Sequence, residues 1–173
     1  MSSRGLKPYD TQYGSEISVS NEIRPVFVHS SFRVSSTWFW SKLRTAPTTT
    51  AYCEIFHEIF GDVTTSTVRR SVYSGWDSGH PACAPYFLEF IPLLETAGGI
   101  PEYQPSMAFE SFIPSDGIDG SLSQAEKVYI DRLIYNAKRM GTIPVLADTR
   151  TLGRMRAISK SYDGTHILLH RNL

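Results

Sequence analysis

Four short apolar runs, each bounded by polar or turn-forming residues, mark the strands of this chain. They cover residues 25–29, 48–53, 143–147 and 165–169. Runs of this length, rich in β-branched residues, are typical of buried strands. Because segments of helical length separate most of them, the pattern predicts strands that are joined through helices rather than by hairpins.

Apolar residues recur at helical spacing in the segments between these strands. The best helix follows Ser123-Gln-Ala-Glu126, which is a capping box, and continues to Gly141. A first helix is expected to stop before Pro47, because the residue before a proline disfavours helical backbone. Two further helices are predicted over residues 84–96 and 149–160.

The strand, helix and strand at the C-terminal end are joined by short links. Such units form right-handed crossovers with parallel pairing. The sequence therefore predicts an α/β fold, a three-layer domain with a parallel sheet. A length of 173 residues with 41% hydrophobic residues suits one domain, over residues 23–173, and residues 1–22 are predicted to be a loosely ordered lead-in.

Charge is distributed unevenly although the formal net charge is zero. Residues 131–173 contain eight Lys and Arg against three Asp and Glu. A basic C-terminal part suits an anionic ligand such as a nucleotide, and solvated helix faces are the alternative explanation. No stripe of basic residues with interleaved aromatics is present, so no nucleic-acid partner is predicted.

Two cysteines, Cys53 and Cys83, lie far apart in the sequence, so neither a disulfide framework nor a zinc site is indicated. The first 21 residues are polar and lack the apolar core of a signal peptide. No stretch approaches the roughly 20 apolar residues of a membrane span. We therefore predict a cytoplasmic protein without a membrane partner.

Residues 25–40 read as an apolar strand, a hydroxyl-rich loop with one arginine, and the start of a helix. The backbone N–H groups of such a loop and the positive end of the helix dipole favour an anion. Arg33 and the hydroxyls of Ser35, Ser36 and Thr37 add charge and donors. The pattern predicts a phosphate-binding loop.

This loop is not a Walker A motif. No Gly-Lys-Ser or Gly-Lys-Thr follows it, and no glycine occurs between His29 and Pro47. A kinase or ATPase is therefore disfavoured.

Residues 33–38, Arg-Val-Ser-Ser-Thr-Trp, instead resemble the 5′-phosphosulfate loop of the sulfotransferases. In that loop a basic residue precedes a small residue, Gly, two hydroxyl residues and often Trp. Residues 165–173, which end in Arg-Asn-Leu, are similar to the family's strand that ends in Arg-Asn-Pro or Arg-Asp-Pro. The resemblance covers roughly residues 24–173.

The resemblance implies a P-loop-like fold and 3′-phosphoadenylyl sulfate as the sulfuryl donor, with no metal required. It assigns the 3′-phosphate of the donor to Arg171. The donor-binding residues that it implies are Arg33, Val34, Ser35, Ser36, Thr37, Trp38 and Arg171.

The sequence departs from the family at both motifs. Ser35 stands where the family usually has Gly, so a positive φ there would strain the loop. Leu173 stands in place of Pro and ends the chain, whereas the family continues through a serine that completes the 3′-phosphate site. We therefore expect a sulfotransferase domain that is incomplete at its C-terminus.

Sulfuryl transfer requires a cation at the leaving phosphate and a base for the acceptor. Arg33 suits the first role, and a surface arginine beside a helix is the alternative. Glu54, which follows the second strand, matches the position of a catalytic glutamate in one branch of the family. The alternatives are that Glu54 caps the next helix and that His57 is the base.

Two more residues follow the third predicted strand and are expected at the same sheet edge. Asp148 is predicted to be an N-cap, and Arg150 to meet an acidic acceptor or the nucleotide.

The sequence thus predicts an enzyme that transfers a sulfuryl group to a hydroxyl of a carbohydrate or small-molecule acceptor. A non-catalytic relic or nucleotide-binding module of the same fold is the alternative. A P-loop phosphotransferase ranks third.

Overall fold

The computed structural model describes residues 23–70 except Arg33, together with residues 85–109 and 121–171. The predicted lead-in, residues 1–22, lies outside this part of the chain. The described residues form one parallel sheet with the strand order β2-β3-β1-β4. Its strands are β1 (Val26–Ser30), β2 (Thr49–Cys53), β3 (Ile143–Asp148) and β4 (Thr165–Leu169).

Helices cover both faces of the sheet, which confirms the predicted three-layer α/β fold. The α-helices are α1 (Ser36–Thr45), α2 (Thr65–Arg70), α3 (Ser106–Phe109), α4 (Gln124–Arg139) and α5 (Met155–Ser161). Three 3₁₀ helices cover Glu58–Gly61, Leu88–Leu93 and Leu152–Arg154. Both α2 and α3 are short and were not predicted.

Alternation along the strands divides the core into two clusters. On one face, Trp40 of α1 packs with strand residues that include Val28 and Val145, and its indole N–H donates to the Ala51 carbonyl at 2.8 Å. On the other face, strand residues that include Phe27 pack against α4 and α5. Side chains on successive strand positions point to opposite faces of the sheet, so alternate strand residues belong to different clusters.

The predicted capping box begins α4. The Glu126 N–H donates to Ser123 Oγ at 3.2 Å, and the Ser123 N–H donates to Glu126 Oε2 at 2.7 Å. Glu126 also forms a buried ion pair with Arg154, whose Nε lies 3.0 Å from Oε1. Arg154 Nη1 donates to the Met107 carbonyl at 3.1 Å. One buried arginine therefore joins the starts of α4 and α5 to α3.

Two predicted helices are shorter than the sequence pattern suggested. Within residues 84–96 the described chain forms only the 3₁₀ helix Leu88–Leu93, and Pro92 has no N–H to continue an α-helical ladder. Within residues 149–160, helical backbone begins at Leu152 rather than residue 149. The loop between β3 and Leu152 is held by side-chain contacts of Asp148 and Thr151.

The strand order places a topological switch point at the centre of the sheet, between β1 and β3. The connection that leaves β1 enters α1 on one face, whereas the connection that leaves the neighbouring β3 enters α5 on the other face. Ligands of open α/β sheets bind at the carboxyl ends of such a strand pair. The predicted phosphate-binding loop follows β1 and therefore lies at this switch point.

Candidate active site

Ser35 starts α1 in the left-handed conformation, with φ 65° and ψ 26°. Its carbonyl accepts the first helical bond, from the Phe39 N–H at 3.1 Å, whereas its side chain makes no capping hydrogen bond. No acidic residue lies in the first turn of α1. The positive end of this helix dipole therefore carries no side-chain oxygen from the usual capping position.

The positive φ at Ser35 confirms the expected strain at the position where the sulfotransferases have Gly. A left-handed residue other than Gly costs roughly 1–2 kcal/mol. Ser35→Gly should therefore raise the free energy of unfolding by up to about 1 kcal/mol, because glycine's larger entropy loss offsets part of the relief. Ser35→Ala is the matched control and should give no gain. Urea unfolding of both variants checks this, and equal stabilisation by both would contradict it.

The other loop residues lie around the start of α1. Val34, Ser36 and Thr37 are half-buried. Trp38 is 53% exposed, and the Lys42 ammonium lies 5.5 Å from its ring centroid. Arg33 lies outside the described residues, so its orientation stays a prediction.

Arg171 follows β4 and is exposed. Ser30, the last residue of β1, is in register with Leu169 on β4. Since β1 and β4 are parallel neighbours, Arg171 and the loop after β1 leave the sheet at the same edge. The topology therefore places Arg171 at the same sheet edge as the described part of the predicted phosphate-binding loop.

Glu54 is the first residue after β2 and has a left-handed φ of 51°. Its Oε2 accepts from Thr149 Oγ1 at 2.8 Å and from Arg150 Nη1 at 3.2 Å. The Thr149 backbone N–H also bonds the carboxylate, and no side chain among the described residues donates to Oε1. Burial raises the pKa of Glu54, and the contacts with Thr149 and Arg150 oppose that rise. This is the direction expected for a carboxylate that works as a base near neutral pH.

The alternative that Glu54 caps the next helix is wrong, because His57 is the cap. His57 is the N-cap of the 3₁₀ helix Glu58–Gly61, and its Nδ1 accepts from the Ile59 N–H at 3.2 Å. A neutral ring with Nδ1 as acceptor carries its proton on Nε2. Burial also lowers the pKa of His57. His57 in this state has no free lone pair for an acceptor proton.

Asp148 ends β3 and fixes the two loops beside it. Its carboxylate accepts from the Phe56 N–H at 2.8 Å and from the Arg150 N–H. Burial and the neighbouring Glu54 raise the pKa of Asp148 to about 7. The predicted N-cap role is wrong, since no helix begins there. Asp148 instead bonds backbone after both β2 and β3, and so aligns Glu54 with its partners.

A buried polar chain lies under the loop that follows β3. The Nδ1 atom of His29 lies 2.9 Å from Thr151 Oγ1, and its Nε2 atom lies 3.1 Å from His166 Nδ1. Burial and His166 lower the pKa of His29 to about 4, which keeps this ring neutral at neutral pH. The contact with Thr151 joins the end of β1 to the loop after β3 and helps to explain why helical backbone starts only at Leu152, whereas the contact with His166 joins β1 to β4.

Residues 75–121 contain many Gly and Pro residues, a composition that suits either an insertion that shapes an acceptor pocket or a packed connection without chemistry. Residues 71–84 and 110–120 lie outside the described residues. Within the described part, Phe87, Phe90 and Leu93 are buried in the core. A groove of about 780 Å³ runs between this segment and Arg132 of α4, and no candidate site residue lines it.

No family model, curated protein or solved structure matches this chain. The resemblance to sulfotransferases therefore stays a prediction. No helix among the described residues is long and apolar enough to cross a membrane. In that same part of the chain, no group of three or more His, Cys, Asp or Glu residues is arranged to hold a metal ion.

Proposed function

We propose that the protein transfers a sulfuryl group from 3′-phosphoadenylyl sulfate to an alcohol, with Glu54 as the general base. One observation carries the proposal. At the sheet edge that holds the Ser35 helix start, one oxygen of Glu54 accepts from the Thr149 and Arg150 side chains, while no side chain among the described residues donates to its other oxygen. That is the arrangement a base needs in order to accept a proton from a bound ligand.

The spacing of the strands suits this reaction. Glu54 and the loop after β1 are separated by β3 alone, which is two strand spacings or roughly 10 Å. An acceptor hydroxyl over the end of β3 would lie between the base and the sulfuryl group. The hydroxyl oxygen would form a bond to sulfur as its proton moves to Glu54, and the bond between sulfur and the bridging phosphate oxygen would break. Arg33 would neutralise charge on the departing 3′,5′-adenosine bisphosphate.

Phosphoryl transfer is less well supported. In P-loop phosphotransferases an aspartate after a sheet strand helps to hold Mg²⁺. Asp148 is the residue that ends the strand beside β1, yet both of its oxygens already accept backbone N–H groups. Coordinating Mg²⁺ would compete with the bonds that align the two loops.

Nucleotide binding by the full chain tests the donor site. We expect calorimetry to detect binding of 3′,5′-adenosine bisphosphate. Arg33→Ala should weaken this binding by about 1.5–3 kcal/mol, roughly 10- to 150-fold in affinity, because a charged hydrogen bond is lost. Arg24→Ala is the matched control: Arg24 is exposed before β1 at the opposite sheet edge, where it pairs with Asp163 at 3.6 Å.

Equal losses in both arginine variants would mean a general charge effect and would contradict the assignment of Arg33. Binding that depends on Arg33, combined with no sulfate transfer to any alcohol, phenol or sugar, would favour the nucleotide-binding module instead.

A further inference from the structure

The guanidinium of Arg150 lies between two carboxylates. Its Nη1 donates to Glu54 Oε2 at 3.2 Å, and its Nη2 donates to Glu58 Oε2 at 3.3 Å. The Arg150 side chain is only 14% exposed, whereas that of Glu58 is 53% exposed. Arg150 is thus a mostly buried cation that pairs with the exposed Glu58 on its solvent side and with Glu54 at the candidate active site.

We propose that Arg150 is a positioning residue for Glu54, which it orients so that Oε1 faces the acceptor; this inference rests on the proposed function. The planar guanidinium holds its donors in a fixed fork, so a contact with Glu58 also fixes where the other nitrogen meets Glu54. Thr149 donates to the same Oε2. Two donors on one oxygen define the rotation of the carboxylate and leave Oε1 for the ligand.

The charges around Glu54 act in opposite directions on its pKa. Burial raises it, Thr149 and Arg150 lower it, and the Glu58 carboxylate raises it. The buried Asp148 carboxyl and the Cys53 thiol are the other titratable neighbours. Arg150 is the cation among these interactions, so it favours the ionised form that a base requires before it accepts a proton.

Glu58 affects the pKa of Glu54 in the direction opposite to Arg150. The His57 ring lies close to it, with Nδ1 3.6 Å from Oε2. Loss of Glu58 would remove one of the two carboxylates that Arg150 contacts, and it would also remove a negative charge that raises the pKa of Glu54. Removing Arg150 should therefore raise the pKa of Glu54, whereas removing Glu58 breaks the same contact between Arg150 and Glu58 without raising that pKa.

The test compares Arg150→Gln, Arg150→Lys and Glu58→Gln in the full chain with two readouts. Carboxyl ¹³C NMR follows the titration of Glu54, and steady-state kinetics gives turnover from pH 6 to 9. We expect Arg150→Gln to raise the pKa of Glu54. Turnover should fall roughly tenfold at pH 6 and approach the wild-type value at pH 9, with KM for the donor unchanged. Arg150→Lys should recover part of the loss, because an ammonium supplies charge without the fork.

Glu58→Gln should leave the pKa of Glu54 unchanged or lower. A rise in Glu58→Gln, or the same shift in both variants, would overturn the proposal, since a general loosening of the loop would move both alike. If Arg150→Gln does not fold, the result for the more exposed Glu58 still decides. If the wild type transfers no sulfate, the NMR titration still tests whether Arg150 controls the pKa of Glu54. Failure of the proposed function can therefore be told apart from failure of the proposed role of Arg150.

Discussion

Glu54→Gln is expected to reduce sulfuryl turnover by roughly 10²- to 10⁴-fold and to leave donor affinity unchanged. The amide matches the carboxylate in shape and can keep an acceptor oxygen toward Thr149 and Arg150, but it cannot take the acceptor proton. Turnover of the full chain is measured with radiolabelled donor. Calorimetry measures the affinity for 3′,5′-adenosine bisphosphate and so checks that donor binding is unchanged.

His57→Gln is the matched control, since it places the same amide three residues away. The His57 ring caps a 3₁₀ helix through Nδ1, so its loss should reduce stability slightly and turnover by less than about tenfold. Normal turnover in Glu54→Gln together with an inactive His57→Gln protein would reverse the assignment of the base.

The second large effect is on stability. Arg154→Met should lower the free energy of unfolding by about 3–5 kcal/mol, because it leaves the Glu126 carboxylate buried without its cation. Both side chains are less than a tenth exposed. The contact with the Met107 carbonyl and the position of the guanidinium 5.2 Å from the Phe56 ring centroid would be lost as well. Urea unfolding measures the loss.

The double variant Arg154→Met/Glu126→Gln separates charge from packing. A neutral amide at position 126 can still accept the Ser123 N–H, so the capping box survives while the unpaired charge is removed. We expect the double variant to be more stable than Arg154→Met alone. A double variant that is less stable than either single variant would show that packing, rather than the buried charge, dominates.

The sequence predicted the parts of this fold that depend on local pattern. Each strand lies within about one residue of its apolar run, because buried parallel strands require such runs. The capping box correctly predicted the start of α4, since its two hydrogen bonds involve residues only three apart. The positive φ at Ser35 meets the condition under which strain was expected there, although the sequence alone did not predict the angle.

The predictions that were wrong concern features that depend on contacts between segments distant in the sequence. Asp148 looked like an N-cap because an aspartate commonly precedes a helix, yet its carboxylate bonds the backbone of Phe56, which lies far away in the sequence. The delayed helix start at Leu152 has a similar origin, since Thr151 contacts His29 on β1. The sequence placed Glu54 and Arg150 at one sheet edge, but it predicted an acidic acceptor or the nucleotide as the partner of Arg150, whereas Arg150 pairs with Glu54 and Glu58. It gave no role to Thr149, which donates to the same Glu54 oxygen.

The pairing of β1 has a consequence for how the molecule is made. Residue 26 pairs with residues 145 and 165, so neither neighbour of this central strand exists when β1 is synthesised. At typical elongation rates, residue 145 follows roughly 6–24 s later. Until then β1 has two open edges, and closing so long a chain segment slows its pairing. We expect the loop after β1 to be among the last parts to form, and the nascent apolar strand to need shielding from aggregation in the meantime.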